Sequence, residues 1–422
     1  MKVMVVGGGG REHAIIKGLK KSPKVDEIYA LPGNGGIAAD AVCVNIGAKD
    51  IDGICKFATE NKIDYAVVAP DDPLVLGAVD ALSEIGVPCF GPNKAAAIIE
   101  GSKVFSKNLM KKYNIPTADY NVFSSAEEAL NFVKNAPVPV VVKADGLALG
   151  KGVIIATTTD EAVDAVKSIM EDKVFGESGN NIVIEEFLTG PEVSVLAFTD
   201  GKTVVPMVSS MDHKRAHDND TGLNTGGMGT VAPNPYYTEY IEKVCMETIF
   251  LPTINAMNNE GRTFKGCLYF GLMLTEKGPK VIEYNCRFGD PETQVVLPLL
   301  ESDLLEVMQA TTNGTLADIE VKFADKAACC VIMASKGYPS SYENGFDIVL
   351  PAPAENVSYF VAGAKKEGER LLSAGGRVLG VTAVNDNLKS AVDDAYKAVK
   401  QVDFSNGFYR NDIGAKALKA LV

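Results

Sequence analysis

Over its first hundred residues the chain alternates short apolar runs with longer amphipathic ones, and that alternation leaves few folds open. Residues 2 to 6, 26 to 30, 64 to 69 and 87 to 89 read as strands, and 11 to 20, 50 to 60 and 72 to 82 as helices. Strands separated by helices pair parallel, because each crossover must return over a face of the sheet; a doubly wound α/β unit is expected. Pro88 and Gly91-Pro92 punctuate its end. At 422 residues the chain is too long for one ordinary core. Three domains are expected: 1–101, 102–325 with a lid-like unit at about 118–190, and a small α+β unit at 326–422.

The lid-like unit carries its own signal. Val140-Val141-Val142-Lys143 is a β-branched run ending in a lysine, a glycine-rich stretch follows through Gly150-Lys151-Gly152, and Val153-Ile154-Ile155 resumes the strand pattern. Glycines let backbone N–H groups approach an anion, and lysines add point charges for phosphates. The spacing is not that of a Walker loop, since Gly152 stands where the hydroxyl residue belongs. A helix from Lys103 to Tyr113 precedes this unit. Further on, strands are expected at 192 to 199, 203 to 209, 267 to 275 and 279 to 284, and a helix near 294 to 312. The polar segment 212 to 230 is too long for a simple turn and reads as a binding loop. In the last unit, strands are expected at 327 to 334 and 378 to 384 and a helix at 388 to 399.

The chemistry concentrates in residues 281 to 294. Glu283 and Asn285 stand two apart on an extended run, so both side chains face the same way. A carboxylate beside an amide oxygen suits Mg²⁺, a hard ion that shares oxygen ligands with substrate phosphates. Arg287, just behind, offers a planar fork of donors. The apolar run ending Glu185-Glu186-Phe187-Leu188 enters a short hinge suited to an adenine, and Glu192 follows where ribose hydroxyls would lie.

Other classes are disfavoured by composition. A net charge of −13 argues against nonspecific nucleic-acid binding. No apolar run approaches the ~20 residues that span a bilayer, and the N-terminus reads as a first strand rather than a signal peptide. The eight scattered cysteines read as reduced thiols of a cytoplasmic protein. Three histidines are too few for a histidine metal cluster, and no Ser/His/Asp or Cys/His set is recognisable. Gly7-Gly8-Gly9-Gly10 invites a dinucleotide reading, but the third glycine of that fingerprint falls on Glu12 or His13, and no acid ends the second strand. What survives is a helix start suited to a phosphate.

In their order along the chain, Val142-Lys143-Ala144-Asp145-Gly146, Glu185-Glu186-Phe187-Leu188 and Glu283-Tyr284-Asn285 resemble the ATP-grasp superfamily. Met211-Asp212-His213-Lys214-Arg215, Asn224-Thr225-Gly226-Gly227-Met228-Gly229, Arg287-Phe288-Gly289-Asp290-Pro291-Glu292-Thr293 and Tyr409-Arg410-Asn411-Asp412-Ile413-Gly414 narrow the likeness to the phosphoribosylamine–glycine ligase family, and it runs end to end. The resemblance implies an ATP-dependent ligase that joins glycine to 5-phosphoribosylamine through glycyl phosphate. It implies ATP phosphates at Lys103 and Lys143, a closing loop with Gly150 and Lys151, adenine at Glu185, Glu186 and Leu188, and ribose at Glu192. Glu283 and Asn285 would hold Mg²⁺ or Mn²⁺, and Arg287 with Lys143 would act on the reacting groups. Asp212, Lys214, Asp290, Pro291 and Glu292 would meet the acyl and amine substrates, and Gly9, Gly10, Arg11 and Glu12 the sugar phosphate. Three alternatives stay in view: a related ligase for another acid or amine, a nicotinamide oxidoreductase, and a noncatalytic nucleotide sensor. Whether the chain is a monomer or a weak dimer is not readable.

Overall fold

A computed structural model describes residues 1–147, 152–352 and 354–421. The N-terminal unit is a five-stranded, all-parallel sheet in the order Val42–Cys43, Glu27–Pro32, Lys2–Gly7, Tyr65–Val68, Cys89–Phe90. The central Lys2–Gly7 strand is buried along nearly its whole length, as expected for a parallel strand covered on both faces. The helix expected at 72 to 82 is two helices, Asp71–Leu76 and Ala78–Glu84, because Gly77 turns the backbone to φ +100°.

The lid is a four-stranded sheet ordered Tyr120–Phe123, Ile182–Glu186, Val140–Ala144, Val153–Ala156. Helices Ala126–Val133 and Thr159–Val166 pack on it around a small core that includes Ala129, Val142, Ala162, Val166 and Ile184. That core is separate from those of the rest of the chain, so the lid holds together as a body of its own.

Beneath the lid lies an antiparallel sheet ordered Val204–Pro206, Glu192–Thr199, Gly266–Thr275, Gly278–Asn285. It shares two large apolar cores with the N-terminal unit, and those cores set the relation between them. The helix expected near 294 to 312 breaks into Thr293–Val296, a 3₁₀ turn holding Pro298, and Leu304–Asn313. Asp303 restarts it by accepting from the backbone N–H groups of Leu305 (2.9 Å) and Glu306 (3.3 Å).

The C-terminal sheet runs Met211–Asp212, Gly229–Ala232, Ala327–Ser335, Arg377–Asn385, Val357–Val361, and Gly407–Phe408 also pairs with Ala327–Ser335. Two of its strands come from either end of the polar 212–230 segment, so that loop is anchored in the C-terminal sheet. Among the described residues no helix is long and apolar enough to cross a membrane.

Candidate active site

Lys143 stands one residue before the end of the lid strand Val140–Ala144, its ammonium 3.0 Å from the Glu185 carboxylate and donating to the Ile282 carbonyl at 3.2 Å. Glu185 is shared with Lys107, whose ammonium lies 3.1 Å away and also donates to Thr117 Oγ1 at 2.7 Å. Burial pushes the Lys107 ammonium down to about 8, against the pull of Glu185. Lys103 opens the helix Lys103–Lys112, a place where the helix dipole disfavours a cation. That placement costs stability and suits an anion ligand. Its ammonium donates to the Gly146 carbonyl at 2.8 Å. Asp145 of the same loop accepts from Ser102 Oγ (3.0 Å) and the Val104 N–H (3.2 Å), tying the glycine loop to the start of this helix. Gly150 and Lys151 lie outside the described residues.

Glu186 points elsewhere: Lys280 donates to it at 2.8 Å and the Asp119 N–H at 3.1 Å, and the lysine holds its carboxyl below the usual range. Leu188 follows the strand in the unpaired hinge, half-buried. Glu192 begins the next strand, its carboxylate 3.4 Å from the Lys214 ammonium.

Glu283 and Asn285 share one face of Gly278–Asn285, as the spacing predicts. Burial drives the Glu283 carboxyl upward, yet Lys214, Lys143, Lys103 and Arg287 together outweigh it and leave the group acidic. An ionised carboxylate next to an amide oxygen is an oxygen donor set that fits Mg²⁺ or Mn²⁺ completed by substrate phosphates. Among the described residues no cluster of three or more His, Cys, Asp or Glu offers a rival metal site. Gly271 pairs with Glu283, and a Cβ there would come within 3.2 Å of the glutamate stem.

Arg287 is gripped from one side. Its Nη2 donates to Glu100 Oε1 (2.9 Å) and Asn285 Oδ1 (3.2 Å), its Nη1 donates to the Phe288 carbonyl (3.3 Å), and Asp71 lies 3.8 Å away. Its Nε is buried with no partner among the described residues, which leaves a donor for an incoming oxygen. Glu100 also accepts from the Cys286 N–H at 2.7 Å, and burial pushes its carboxyl up.

Beyond Arg287, Tyr269 donates to Glu292 Oε1 at 3.1 Å while its hydroxyl lies 2.7 Å from Ser194 Oγ. Burial first, then the charge of Glu292, drives the Asp212 carboxyl well above the usual carboxylate range. Glu192, Ser194, Asp212, Lys214, Tyr269 and Glu283 line one cavity of about 10 Å³. The structure therefore joins the two ends of the sequence-based assignment, ribose-side Glu192 and metal-side Glu283, with loop residues Asp212 and Lys214. Asp290 accepts from the Arg11 N–H (3.3 Å) and Gln294 (2.8 Å) and pairs with Arg377 (3.3 Å). Pro291 packs toward Gly227, where a Cβ would meet its Cδ at 2.5 Å. At the helix start, Glu12 accepts from the Gly9 N–H (2.6 Å) and Arg11 Nε (2.7 Å), and Gly10 opens the helix.

Four contributors were absent from the sequence-based set: Lys107, Glu100, Ser194 and Tyr269. Lys107 follows Lys103 by one helical turn and Ser194 follows Glu192 by one strand period, so both had a signal. Glu100 and Tyr269 sit in apolar runs with none.

A lysine-bearing lid over an antiparallel sheet whose last strand carries an oxygen pair defines an ATP-grasp enzyme. The same architecture recurs in the biotin carboxylase domain of Hydrogenobacter thermophilus 2-oxoglutarate carboxylase, at 16% identity and a TM-score of 0.75, covering 97% of this chain and 91% of that one. The phosphoribosylglycinamide synthetase N, ATP-grasp (A) and C domains match residues 1–100, 101–293 and 328–416, and the chain belongs to that family. It is 47% identical to a phosphoribosylamine–glycine ligase of Caldanaerobacter subterraneus over 98% of this chain and all of that one. With the Rhodopirellula baltica ligase it shares 48% identity over 99% of this chain and 98% of that one. The crystal structure of the Thermotoga maritima ligase matches at a TM-score of 0.86 and 33% identity, covering 98% of this chain and 100% of that one.

Proposed function

We infer that this protein joins glycine to 5-phosphoribosylamine at the expense of ATP, giving glycinamide ribonucleotide, ADP and phosphate, a step of purine biosynthesis in the cytoplasm. The observation that carries the site assignment is geometric: Glu283 lines one cavity with Glu192, Asp212 and Lys214, while Lys143 reaches the neighbouring Ile282 carbonyl and Arg287 the Asn285 amide oxygen, so cations border a metal-type oxygen pair as a polyphosphate site requires.

In this reading Lys103 and Lys143 contact the ATP phosphates, the backbone of Glu185 to Leu188 faces the adenine and Glu192 the ribose. Glu283 and Asn285 would hold Mg²⁺ or Mn²⁺, which supplies charge neutralisation at the phosphates. Glycine's carboxylate oxygen attacks the γ-phosphorus, ADP leaves, and the acyl phosphate forms. The amine of phosphoribosylamine then attacks the acyl carbon, phosphate departs with the C–O electron pair, and the nitrogen loses a proton. Arg287 orients the carboxylate and its acyl phosphate through its free Nε. Asp290, Pro291 and Glu292 border the amine, Asp212 and Lys214 close the acyl side, and Gly9, Gly10, Arg11 and Glu12 border the sugar. No protein nucleophile is needed; positioning and charge neutralisation carry the acceleration.

The test is ADP release with ATP, Mg²⁺, glycine and phosphoribosylamine formed in situ from ribose 5-phosphate and ammonia, with the product mass measured. Release that requires both co-substrates and yields glycinamide ribonucleotide is expected. ADP formation indifferent to glycine would refute the reading.

A further inference from the structure

Lys107 is buried beside the nucleotide region, and no step of the ligase reaction uses it. It follows Lys103 by one helical turn, so both side chains leave the same face of the helix Lys103–Lys112. Their ammoniums go to different places. Lys103 reaches the Gly146 carbonyl of the glycine loop, whereas Lys107 is held at the root of the lid. It donates to Thr117 Oγ1 at 2.7 Å, and Thr117 in turn donates to the Val281 carbonyl at 2.7 Å. Thr117 lies where the chain enters the lid and Glu185 on the lid's last strand, so Lys107 grips both crossings. Its Nζ also lies 5.7 Å from the centroid of the Tyr120 ring.

The ion cluster around it is unbalanced. Lys107 and Lys143 converge on the same oxygen, Glu185 Oε2, at 3.1 and 3.0 Å, and none of the three side chains is more than 5% exposed. Two cations against one carboxylate leave a buried positive charge, which is unfavourable until an anion arrives. The two lysines differ in what else they hold. Lys107 is fixed to a hydroxyl that is itself engaged, while the other contact of Lys143 is the Ile282 carbonyl, next to Glu283. An incoming phosphate therefore draws Lys143 and leaves Lys107 in place. Were Lys107 absent, that move would strip Glu185 of its partner, and a bare buried carboxylate is strongly destabilising.

We propose that Lys107 is a positioning residue for ATP: it is the standing counter-ion of Glu185, and by holding that carboxylate it releases Lys143 to the nucleotide phosphates. This rests on the phosphate role given to Lys143 above.

Calorimetry on the full chain tests it, with ATP and adenosine as probes and urea midpoints confirming that each variant is folded. Lys107→Met is expected to raise Kd for ATP about 10- to 100-fold, because Glu185 then keeps Lys143. Lys107→Gln, whose amide can still donate to Thr117, is expected to do the same. Adenosine, which brings no phosphate, should keep its Kd within about twofold in both variants. In steady state the loss is expected in KM for ATP rather than in kcat at saturating ATP. In a Glu185→Gln background, with no carboxylate to hold Lys143 back, Lys107→Met should change Kd for ATP far less. An equal loss for adenosine, or the full loss persisting in the Glu185→Gln background, overturns the proposal and leaves Lys107 as a strut of the lid root. Unchanged ATP binding in Lys107→Met and Lys107→Gln overturns it as well. An unchanged Kd in Lys143→Met refutes the phosphate role of Lys143 itself, which separates the two failures.

Discussion

Glu100 touches no reacting atom in this scheme, yet Glu100→Gln is expected to slow the enzyme severely. The carboxylate accepts from Arg287 Nη2 at 2.9 Å with one oxygen and from the Cys286 N–H at 2.7 Å with the other. A glutamine keeps the volume but turns one oxygen into an NH₂ donor, which must face either the guanidinium or the backbone N–H. One charge-assisted hydrogen bond is lost, worth about 1.5–3 kcal/mol. Asp71, at 3.8 Å, is the remaining carboxylate near the guanidinium and can draw it off line. If the whole loss falls on the transition state, kcat/KM for glycine drops about 10- to 100-fold. KM for ATP moves far less, because Lys103 and Lys143 do not depend on this grip. The assay is steady-state ADP release with glycine varied, on protein whose urea midpoint confirms folding. Arg287→Lys supplies the second arm of a double-mutant cycle. If Glu100 acts through Arg287, the double variant is little worse than Arg287→Lys alone. Full activity in Glu100→Gln, or effects that simply multiply, would refute the positioning role.

Three further outcomes follow from the geometry. Lys143→Met should weaken ATP binding by about 10- to 100-fold in Kd by calorimetry while the fold survives, since Lys107 still neutralises Glu185; an unchanged Kd would remove Lys143 from the phosphate site. Gly227→Ala should lower stability by about 1–3 kcal/mol and reduce turnover, because Gly227 holds φ +115° and a Cβ would strike Pro291 and Asp212; wild-type turnover and urea midpoint would contradict the packing argument. His213 should give stability an acid limb: its Nδ1 donates to the Gly229 carbonyl and its Nε2 accepts from the Gly414 N–H, so the ring is neutral, and burial lowers it from 6.5 to about 4. As pH falls below 6.5 the unfolded ring takes up its proton first, so up to about 3 kcal/mol drains away between pH 6.5 and 4. Urea midpoints against pH should show that limb flattened in His213→Gln, and an identical limb in the variant would assign it elsewhere.

What was legible in the sequence followed from local rules. The parallel unit showed in its alternation, and Glu283 and Asn285 showed in a two-residue period that any strand must obey. Lys103 entered only through the family resemblance; the structure shows it opening a helix, where it defies the dipole. The break at Gly77 was not legible, because a glycine inside a helical run signals lowered propensity and not its own φ. Pairing was hidden still more deeply. Met211–Asp212 and Gly229–Ala232 join a sheet whose main strand starts near residue 327, and no property of the two short runs announces a partner a hundred residues away. The same distance conceals the supports of the site. Glu100 reads as one acid on a short helix, and only the fold places it under the Cys286 N–H and the Arg287 fork. Arg377, behind Gly375-Gly376, hints from sequence at a phosphate or adenine neighbour, but only the C-terminal sheet carries it to the carbonyls of Gly226 and Asp290, at 2.9 and 2.8 Å. Groups that meet substrate recur in local patterns because their chemistry dictates type and spacing. The residues that aim them are chosen by proximity in space, so structure is needed to find them and double-mutant cycles to weigh them.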